Sequence, residues 1–114
     1  MNQDIKQRWV DALRSGEYEQ GKECLHDSSD NTFCCLGVLT DLYIKEHGQQ
    51  WHKPDGSTHL TFEDEGGVLP SSVRTWAGLV FGSCSPYVSG RDLASHNDNG
   101  MSFDELAQLI ENEL

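Results

Sequence analysis

Residues 33–43 read FCCLGVLTDLY, and this apolar stretch decides the fold of the chain. Apolar side chains recur in it at helical spacing, and further apolar residues widen the face until it covers most of the helix. The pattern predicts one buried helix at the centre of the fold. Gly37 lies inside that helix, where glycine costs about 1 kcal/mol relative to alanine. We therefore expect another backbone to pack closely against Gly37.

The N-terminal half contains a second helical pattern. It predicts a helix over about residues 3–14, with Gly16 as its left-handed stop. The central helix spans about residues 32–46, and either Asn31 or Thr32 is expected to cap it before it ends at the next glycine. A polar loop bracketed by glycines separates the two helices.

Beyond the central helix the hydrophobic period drops to two, which predicts a β-hairpin over about residues 50–63. Pro70 then begins a short helix, because proline suits the first helical position, and Gly78 ends it. These patterns predict an α+β fold, a small helix-dominated single domain over residues 1–114. We expect its β-structure to be a β-hairpin or a small antiparallel sheet.

The C-terminal region begins with a predicted loop at residues 79–90 and a short helix at about residues 90–96. Its last helix has the clearest start signal in the chain. Ser102 stands at the N-cap position and Glu105 follows three residues later, which is the pattern of a capping box.

The chain is acidic, with 19 Asp and Glu against 8 Lys and Arg and a formal charge of −11. No basic stripe is present, so we expect no direct binding of nucleic acid. Acidic residues gather at Glu63–Glu65 and between Asp92 and Leu114. They form either a solvated face or a surface that binds a basic protein groove, as nucleic-acid mimics do.

No apolar run approaches the roughly 20 residues of a membrane span, and no signal-peptide pattern is visible. We therefore expect a cytoplasmic protein that does not contact membranes. Its partner would be a small nucleotide-like ligand or a basic host protein, and a homo-oligomer is possible.

The four cysteines, Cys24, Cys34, Cys35 and Cys84, lack the paired spacing of a zinc site. Cys34 and Cys35 point about 100° apart on a helix and cannot hold one metal together, so we assign both to the core. Aligning Gly100 with the glycine of a calcium loop puts an apolar residue where a carboxylate is required. We predict no metal site and no cofactor.

No nucleophile stands in a known catalytic motif. Cysteine–histidine catalysis would need Cys34 or Cys84 to meet His26 or His96 in space. Because a buried thiol without an assigned base is a weak nucleophile, we predict that the protein is not an enzyme.

The glycine-bracketed loop is the best candidate for a binding site. It offers a cation, an aromatic face and an amide together. The candidate ligand-binding residues of the loop are Arg14, Tyr18, Gln20, Gly21 and Lys22.

Asn97 and Asp98 complete the candidate set, although their side chains also suit a turn before Gly100. A structural alternative exists for the two cations of the loop. Arg14 and Lys22 can pair with nearby carboxylates, which are those of Glu17, Glu19 and Glu23.

Several segments together carry a family resemblance. They are Trp9–Gly16 with Tyr18, Gln20 and Gly21, the Cys34–Cys35 helix, Leu69-Pro70, Val73, Trp76–Leu79, Leu93-Ala94, Asn97-Asp98, Gly100, Ser102-Phe103, Ala107 and Ile110. Their pattern resembles a family of small uncharacterised proteins common in phage and prophage genomes. The resemblance covers nearly the whole chain except about residues 48–67, and His96 stands where an apolar residue is expected. It implies a phage accessory protein and carries no catalytic residues.

Two functional hypotheses follow. In the first, the protein counters host defence as a non-enzymatic sponge that sequesters a small nucleotide-derived immune signal. In the second, its acidic face inhibits a basic host defence or nucleic-acid-binding protein. A phage regulator or assembly accessory without a defence role is a further possibility.

Overall fold

A computed structural model describes residues 1–79 and 85–114 and shows an α+β fold, as the sequence predicts. The helices in these residues are α1 (Gln3–Arg14), α2 (Cys35–His47), α3 (Ser71–Ala77), α4 (Leu93–Asp98) and α5 (Phe103–Glu113). The strands are β1 (Glu19–Gln20), β2 (His26–Asp27), β3 (Thr32–Phe33), β4 (His59–Leu60), β5 (Tyr87–Val88) and β6 (Arg91–Asp92). No helix in the described ranges is both long and apolar enough to span a membrane.

Helix α2 lies at the centre of the fold, and residues 35–41 are buried without interruption. A helix that is buried all round needs no polar face, which confirms the prediction of a central core helix. Its start was predicted three residues too early. Thr32 belongs to β3, where strand pairing uses its backbone, and Cys34 takes the N-cap position without a side-chain hydrogen bond.

Gly37 contacts the backbone of Leu25, which confirms the close approach predicted from the sequence. A Cβ at Gly37 would overlap the Leu25 carbonyl, with the carbonyl carbon only 2.6 Å away. The same carbonyl accepts a hydrogen bond from the Cys34 backbone N–H at 3.2 Å. Leu25 is fully buried, so the segment before β2 is fixed directly onto α2.

The main sheet has the order β1-β3-β2-β4. Strands β1 and β3 pair in parallel and the other neighbours are antiparallel, so the sheet is mixed and not purely antiparallel. The predicted hairpin over residues 50–63 is reduced to a single antiparallel bridge between His52 and Thr61. Strand β4 uses its other edge to pair with β2.

Helix α3 stops before Gly78, as predicted, but Pro70 is its N-cap and not its first helical residue. Part of the predicted loop at 79–90 lies outside the described residues, and the described part contains the strand β5. Strands β5 and β6 form a hairpin through Ser89 and Gly90, both with positive φ. This hairpin takes up residues 91–92, so α4 begins at Leu93 and not near residue 90. Helix α4 follows the hairpin and contacts the N-terminal end of α2, where the Cys35 backbone N–H donates to Asn97 Oδ1.

Helices α1 and α5 pack against each other, and α1 also contacts α2. Helix α1 has the predicted bounds, and Gly16 follows it with a φ of +79°. Helix α5 starts with the predicted capping box between Ser102 and Glu105. Trp9 is fully buried between these elements, and its Nε1 donates to the carbonyl oxygen of Cys35 at 3.0 Å.

Candidate functional site

A groove opens between the end of α1, the loop that follows it and the start of α5. Its volume is about 360 Å³, which lies at the small end of the range for ligand pockets. The residues that line this loop groove are Leu13, Arg14, Gly16, Tyr18, Glu19, Gln20, Ser102, Phe103 and Asp104. Three of the seven residues predicted to bind a ligand are therefore found together in one depression.

Arg14 provides the positive charge of the loop groove, but it already has a partner. Its Nη1 lies 2.7 Å from Glu111 Oε2, and its Nη2 donates to Gln108 Oε1 at 3.4 Å. Both partners are on α5, so the pairing joins two helices and does not involve the loop carboxylates predicted as an alternative. The Arg14 and Glu111 side chains are 38% and 46% exposed, so a ligand anion could replace Glu111 at little cost.

Tyr18 lines the loop groove, and contacts with its hydroxyl and its ring hold the side chain in place. The hydroxyl donates to Asp41 Oδ2 at 2.6 Å, and the ring meets Phe33 edge-on at a centroid distance of 4.9 Å. Burial, followed by the neighbouring Asp41, raises the pKa of Tyr18 to about 12. The ring is thus held in one position and carries no charge at neutral pH.

Asp41 is the buried carboxylate that anchors this region. Besides Tyr18, it accepts a hydrogen bond from Trp51 Nε1 at 3.0 Å and lies 3.0 Å from Lys45 Nζ. Burial acts to raise the pKa of Asp41, but the hydrogen bonds from Tyr18, Trp51 and Lys45 outweigh it and leave the pKa below its usual value. Asp41 is therefore a charged structural centre, and its oxygens are already engaged.

A polar cluster adjoins the loop groove and consists of Gln20, which also lines the groove, with Gly21 and Asn97. Gln20 Nε2 donates to Asn97 Oδ1 at 2.9 Å and to the Met101 carbonyl at 2.7 Å. Asn97 Nδ2 donates to the Gly21 carbonyl at 2.8 Å, and Asn97 Oδ1 also accepts from the Cys35 backbone N–H at 3.3 Å. Asn97 is fully buried, so its amide serves the fold and is not open to a ligand.

Gln20 also caps the last helix, because its Oε1 accepts a hydrogen bond from the Phe103 backbone N–H at 3.1 Å. Together with the capping box, this contact occupies N–H groups at the start of α5 that could otherwise bind an anion. Glu19 and Asp104 add two carboxylates to the lining. The loop groove therefore suits a ligand with limited negative charge.

Lys22 and Asp98 lie outside the lining of the loop groove. Lys22 is exposed, and no hydrogen bond or ion pair to it is found within residues 1–79 and 85–114. Asp98 Oδ1 accepts from the Glu23 backbone N–H at 3.0 Å and from Asn97 Nδ2 at 3.1 Å. Their assignment as ligand-binding residues stays a prediction that the geometry of the groove does not support.

The cysteines and histidines considered for catalysis have other contacts. Burial raises the pKa of Cys34 to about 12 and that of Cys35 well above its usual value, which keeps both thiols protonated. His26 stacks on Phe33 at a centroid distance of 3.8 Å, and His96 Nε2 lies 2.7 Å from the Val88 carbonyl. Cys84 lies outside the described residues.

Sequence reasoning missed the part of the lining that α5 contributes, namely Ser102, Phe103 and Asp104. A signal for it was available, because the capping box fixes where α5 begins. The sequence does not give the distance between the start of α5 and the glycine-bracketed loop, because that distance depends on how α1 packs on α5.

The chain matches, over residues 1–114, a family described as a domain of unknown function (DUF8296). The chain therefore belongs to the DUF8296 family. Comparison with curated proteins and with solved structures gave no match.

Proposed function

We propose that this member of the DUF8296 family is a phage accessory protein that counters host defence by binding a small nucleotide-derived signal. Binding without catalysis is sufficient for such a sponge. The loop groove carries the proposal, because it gathers Arg14, Tyr18 and Gln20 in a depression of about 360 Å³. The phage-type sequence pattern supplies the biological setting.

Each part of the ligand has a counterpart in the loop groove. Tyr18 supplies an aromatic ring for contact with a base, as aromatic side chains do for single bases. Lys45 Nζ lies over the ring at 5.3 Å from its centroid, so a base would stack on the face away from Lys45. Leu13 and Phe103 offer apolar contact, and Arg14 offers a guanidinium to one phosphate. Because Glu19 and Asp104 repel further charge, we expect a preference for cyclic or singly charged nucleotides over polyphosphates.

The test is calorimetry of the wild-type protein against cyclic nucleotides, ADP-ribose-type nucleotides and nucleoside triphosphates. Arg14→Ala should weaken binding by about 1.5–3 kcal/mol, the scale of a charge-assisted hydrogen bond. Absence of heat with every compound would contradict the proposal.

Arg8→Ala is a matched control for Arg14→Ala. Arg8 pairs with Glu46 at 2.8 Å with side-chain exposures of 44% and 41%, and it lies outside the loop groove. Removal of either arginine breaks one comparable surface ion pair, so both variants should lose similar stability. Only Arg14→Ala should lose affinity, and equal affinities in the two variants would assign Arg14 to structure.

The acidic surface favours a second candidate function, inhibition of a basic host protein. Of the 19 acidic residues, ion pairs among the described residues engage four, which are Asp27, Asp41, Glu46 and Glu111. Helix α5 exposes Asp104, Glu105, Glu111 and Glu113 and carries no lysine or arginine. Such a surface would bind a basic groove with strong salt dependence.

The two candidates differ in what they recover from a host lysate. A sponge should recover no stoichiometric protein, whereas an acidic inhibitor should recover a basic partner that salt releases. Asp104→Lys combined with Glu111→Lys should abolish recovery of that partner. Asp104 lines the loop groove and Glu111 pairs with Arg14, so charge reversal at these positions also changes the groove. Asp64→Lys reverses an exposed charge in the Glu63–Glu65 turn, which lies outside the groove lining.

A further inference from the structure

Three side chains with different donor atoms meet at the edge of the main sheet formed by β2 and β4. Cys24 precedes β2, and Asp27 and His59 stand directly opposite each other in the β2–β4 register. One donor atom from each residue lies within 4.8 Å of the other two. Sequence spacing could not reveal this group, because His59 is 32 positions beyond Asp27.

The donor atoms face one another without good hydrogen bonds between them. His59 Nε2 lies 3.6 Å from Asp27 Oδ2, which is too long for a well-formed hydrogen bond. Asp27 Oδ1 accepts hydrogen bonds from the backbone N–H and hydroxyl of Ser29 at 2.9 and 2.7 Å, which fixes the carboxylate while Oδ2 points to the histidine.

We propose that Cys24, Asp27 and His59 form a binding site for a zinc-like divalent cation. Thiolate sulfur, imidazole nitrogen and carboxylate oxygen are the ligands that zinc accepts in proteins. Ligand atoms around a tetrahedral zinc ion are separated by about 3.5 Å, so the donors need to close by about 1 Å at most. The His59 side chain is 57% exposed and can make that movement without disturbing the core.

The electrostatic surroundings suit a cation. After burial, the carboxylates of Asp27, Asp30, Asp98 and Glu23 raise the pKa of the Cys24 thiol. The same carboxylates would stabilise a divalent ion, and the ion would in turn stabilise the thiolate. Asp98 would thus act on the ion through its charge and would not be a ligand.

Three protein ligands leave a fourth position, which the exposure of His59 places toward solvent. The bound ion would join the segment that carries β4 to the segment that carries β2. We therefore expect it to stabilise residues 49–67, whose own pairing is limited to β4 and two isolated bridges. The site shares no residue with the lining of the loop groove, so its test is independent of the proposed function.

The test is calorimetric titration of the reduced full chain with Zn²⁺, together with Co²⁺ as a spectroscopic probe. We expect one Zn²⁺ per chain, a thiolate-to-cobalt charge-transfer band, and a rise in melting temperature with the metal. Ca²⁺ and Mg²⁺, which prefer oxygen ligands, should give neither one-to-one binding nor stabilisation.

His59→Ala removes one of the three ligands, so it should weaken Zn²⁺ binding at least about tenfold and remove the rise in melting temperature with the metal. The variant should fold, because the His59 side chain is exposed. Cys24→Ser should abolish the charge-transfer band. His52→Ala, an exposed histidine on the neighbouring bridge, is the matched control and should bind as the wild type does. Equal Zn²⁺ affinity in wild type and His59→Ala, or equal binding of Ca²⁺, would overturn the proposal.

Discussion

Two regions of the fold are held by different kinds of interaction. In the first region, α1 and α5 pack through apolar stripes that include Trp9, Leu13, Leu106 and Ile110. In the second region, the polar cluster joins β1 and α4 to α2, and the contact of Gly37 with Leu25 joins the segment before β2 to α2. Apolar packing accepts many similar side chains, whereas buried hydrogen bonds and backbone contacts accept few. Small substitutions should therefore lower the free energy of unfolding more in the second region than in the first.

Gly37→Ala should give the largest loss. Alanine would gain about 1 kcal/mol in helix propensity, but its Cβ overlaps the Leu25 carbonyl, so α2 and the segment before β2 must separate. We expect a net loss of about 3 kcal/mol or more in the free energy of unfolding, measured by chemical denaturation. Gly67→Ala is the control, because a Cβ there has open space. Equal stability of the two variants would refute the backbone contact.

Asn97→Ala should come next, with a loss of about 3 kcal/mol. The substitution leaves the Gly21 carbonyl, the Cys35 N–H and part of the Gln20 amide unsatisfied in a buried place. Thermal and denaturant unfolding measure the loss. Asn99→Ala, two residues later and exposed, removes a bond to the Ser95 carbonyl and should cost well under half as much. A larger loss at Asn99 would contradict the assignment of Asn97.

Tyr18→Phe should cost about 1.5 kcal/mol at neutral pH, because it removes a hydrogen bond to a charged carboxylate. The pKa of Tyr18 is raised from 10.0 to about 12 in the folded protein. Folding therefore favours the neutral phenol, and this contribution is complete below pH 10 and lost as the pH rises from 10 to 12. The stability difference between wild type and Tyr18→Phe should shrink over that interval.

Tyr87→Phe serves as the control for this titration, since Tyr87 is 70% exposed. Its stability should follow that of the wild type from pH 7 to 12. A difference between Tyr18→Phe and wild type that stays constant over the alkaline range would show that the Tyr18 phenol is not the titrating group.

Ser102→Ala should give the smallest effect, a loss of about 1 kcal/mol typical of an N-cap. The substitution tests the region in which α1 and α5 pack, because the capping bonds of Ser102 are local and apolar contacts already hold α5 in place. Ser102→Asp should retain the cap and most of the stability. If Ser102→Ala lost as much stability as Asn97→Ala, the contrast between the two regions would be wrong.

The same contrast explains which elements could be predicted. Helix α1 is followed closely by its stop signal, Gly16, and α5 is preceded by its capping box, so these two helix ends follow from the local sequence. The start of α2 does not, because Thr32 looks like a cap but is used in strand pairing with β1 and β2. Two-residue strands such as β5 and β6 have too few residues for a detectable period.

The candidate site shows the same limit. Arg14, Tyr18 and Gln20 were selected by residue type near a glycine-bracketed loop, and they line one groove. Asn97 was selected for its turn chemistry, whereas its amide is buried in contacts with residues more than 60 positions away. Chemistry near one loop can be inferred locally, but burial of a polar group depends on elements that only the fold brings together.

The N-terminal end of α2 has a consequence for folding during synthesis. Cys34 provides no side-chain cap, and the amide oxygen that meets the Cys35 N–H comes from Asn97, 62 positions later. The residues of the central helix are therefore synthesised well before the group that caps it. We expect a nascent chain lacking α4 to hold α2 in a frayed, incompletely packed state, because the Cys35 N–H then has no amide oxygen to bind.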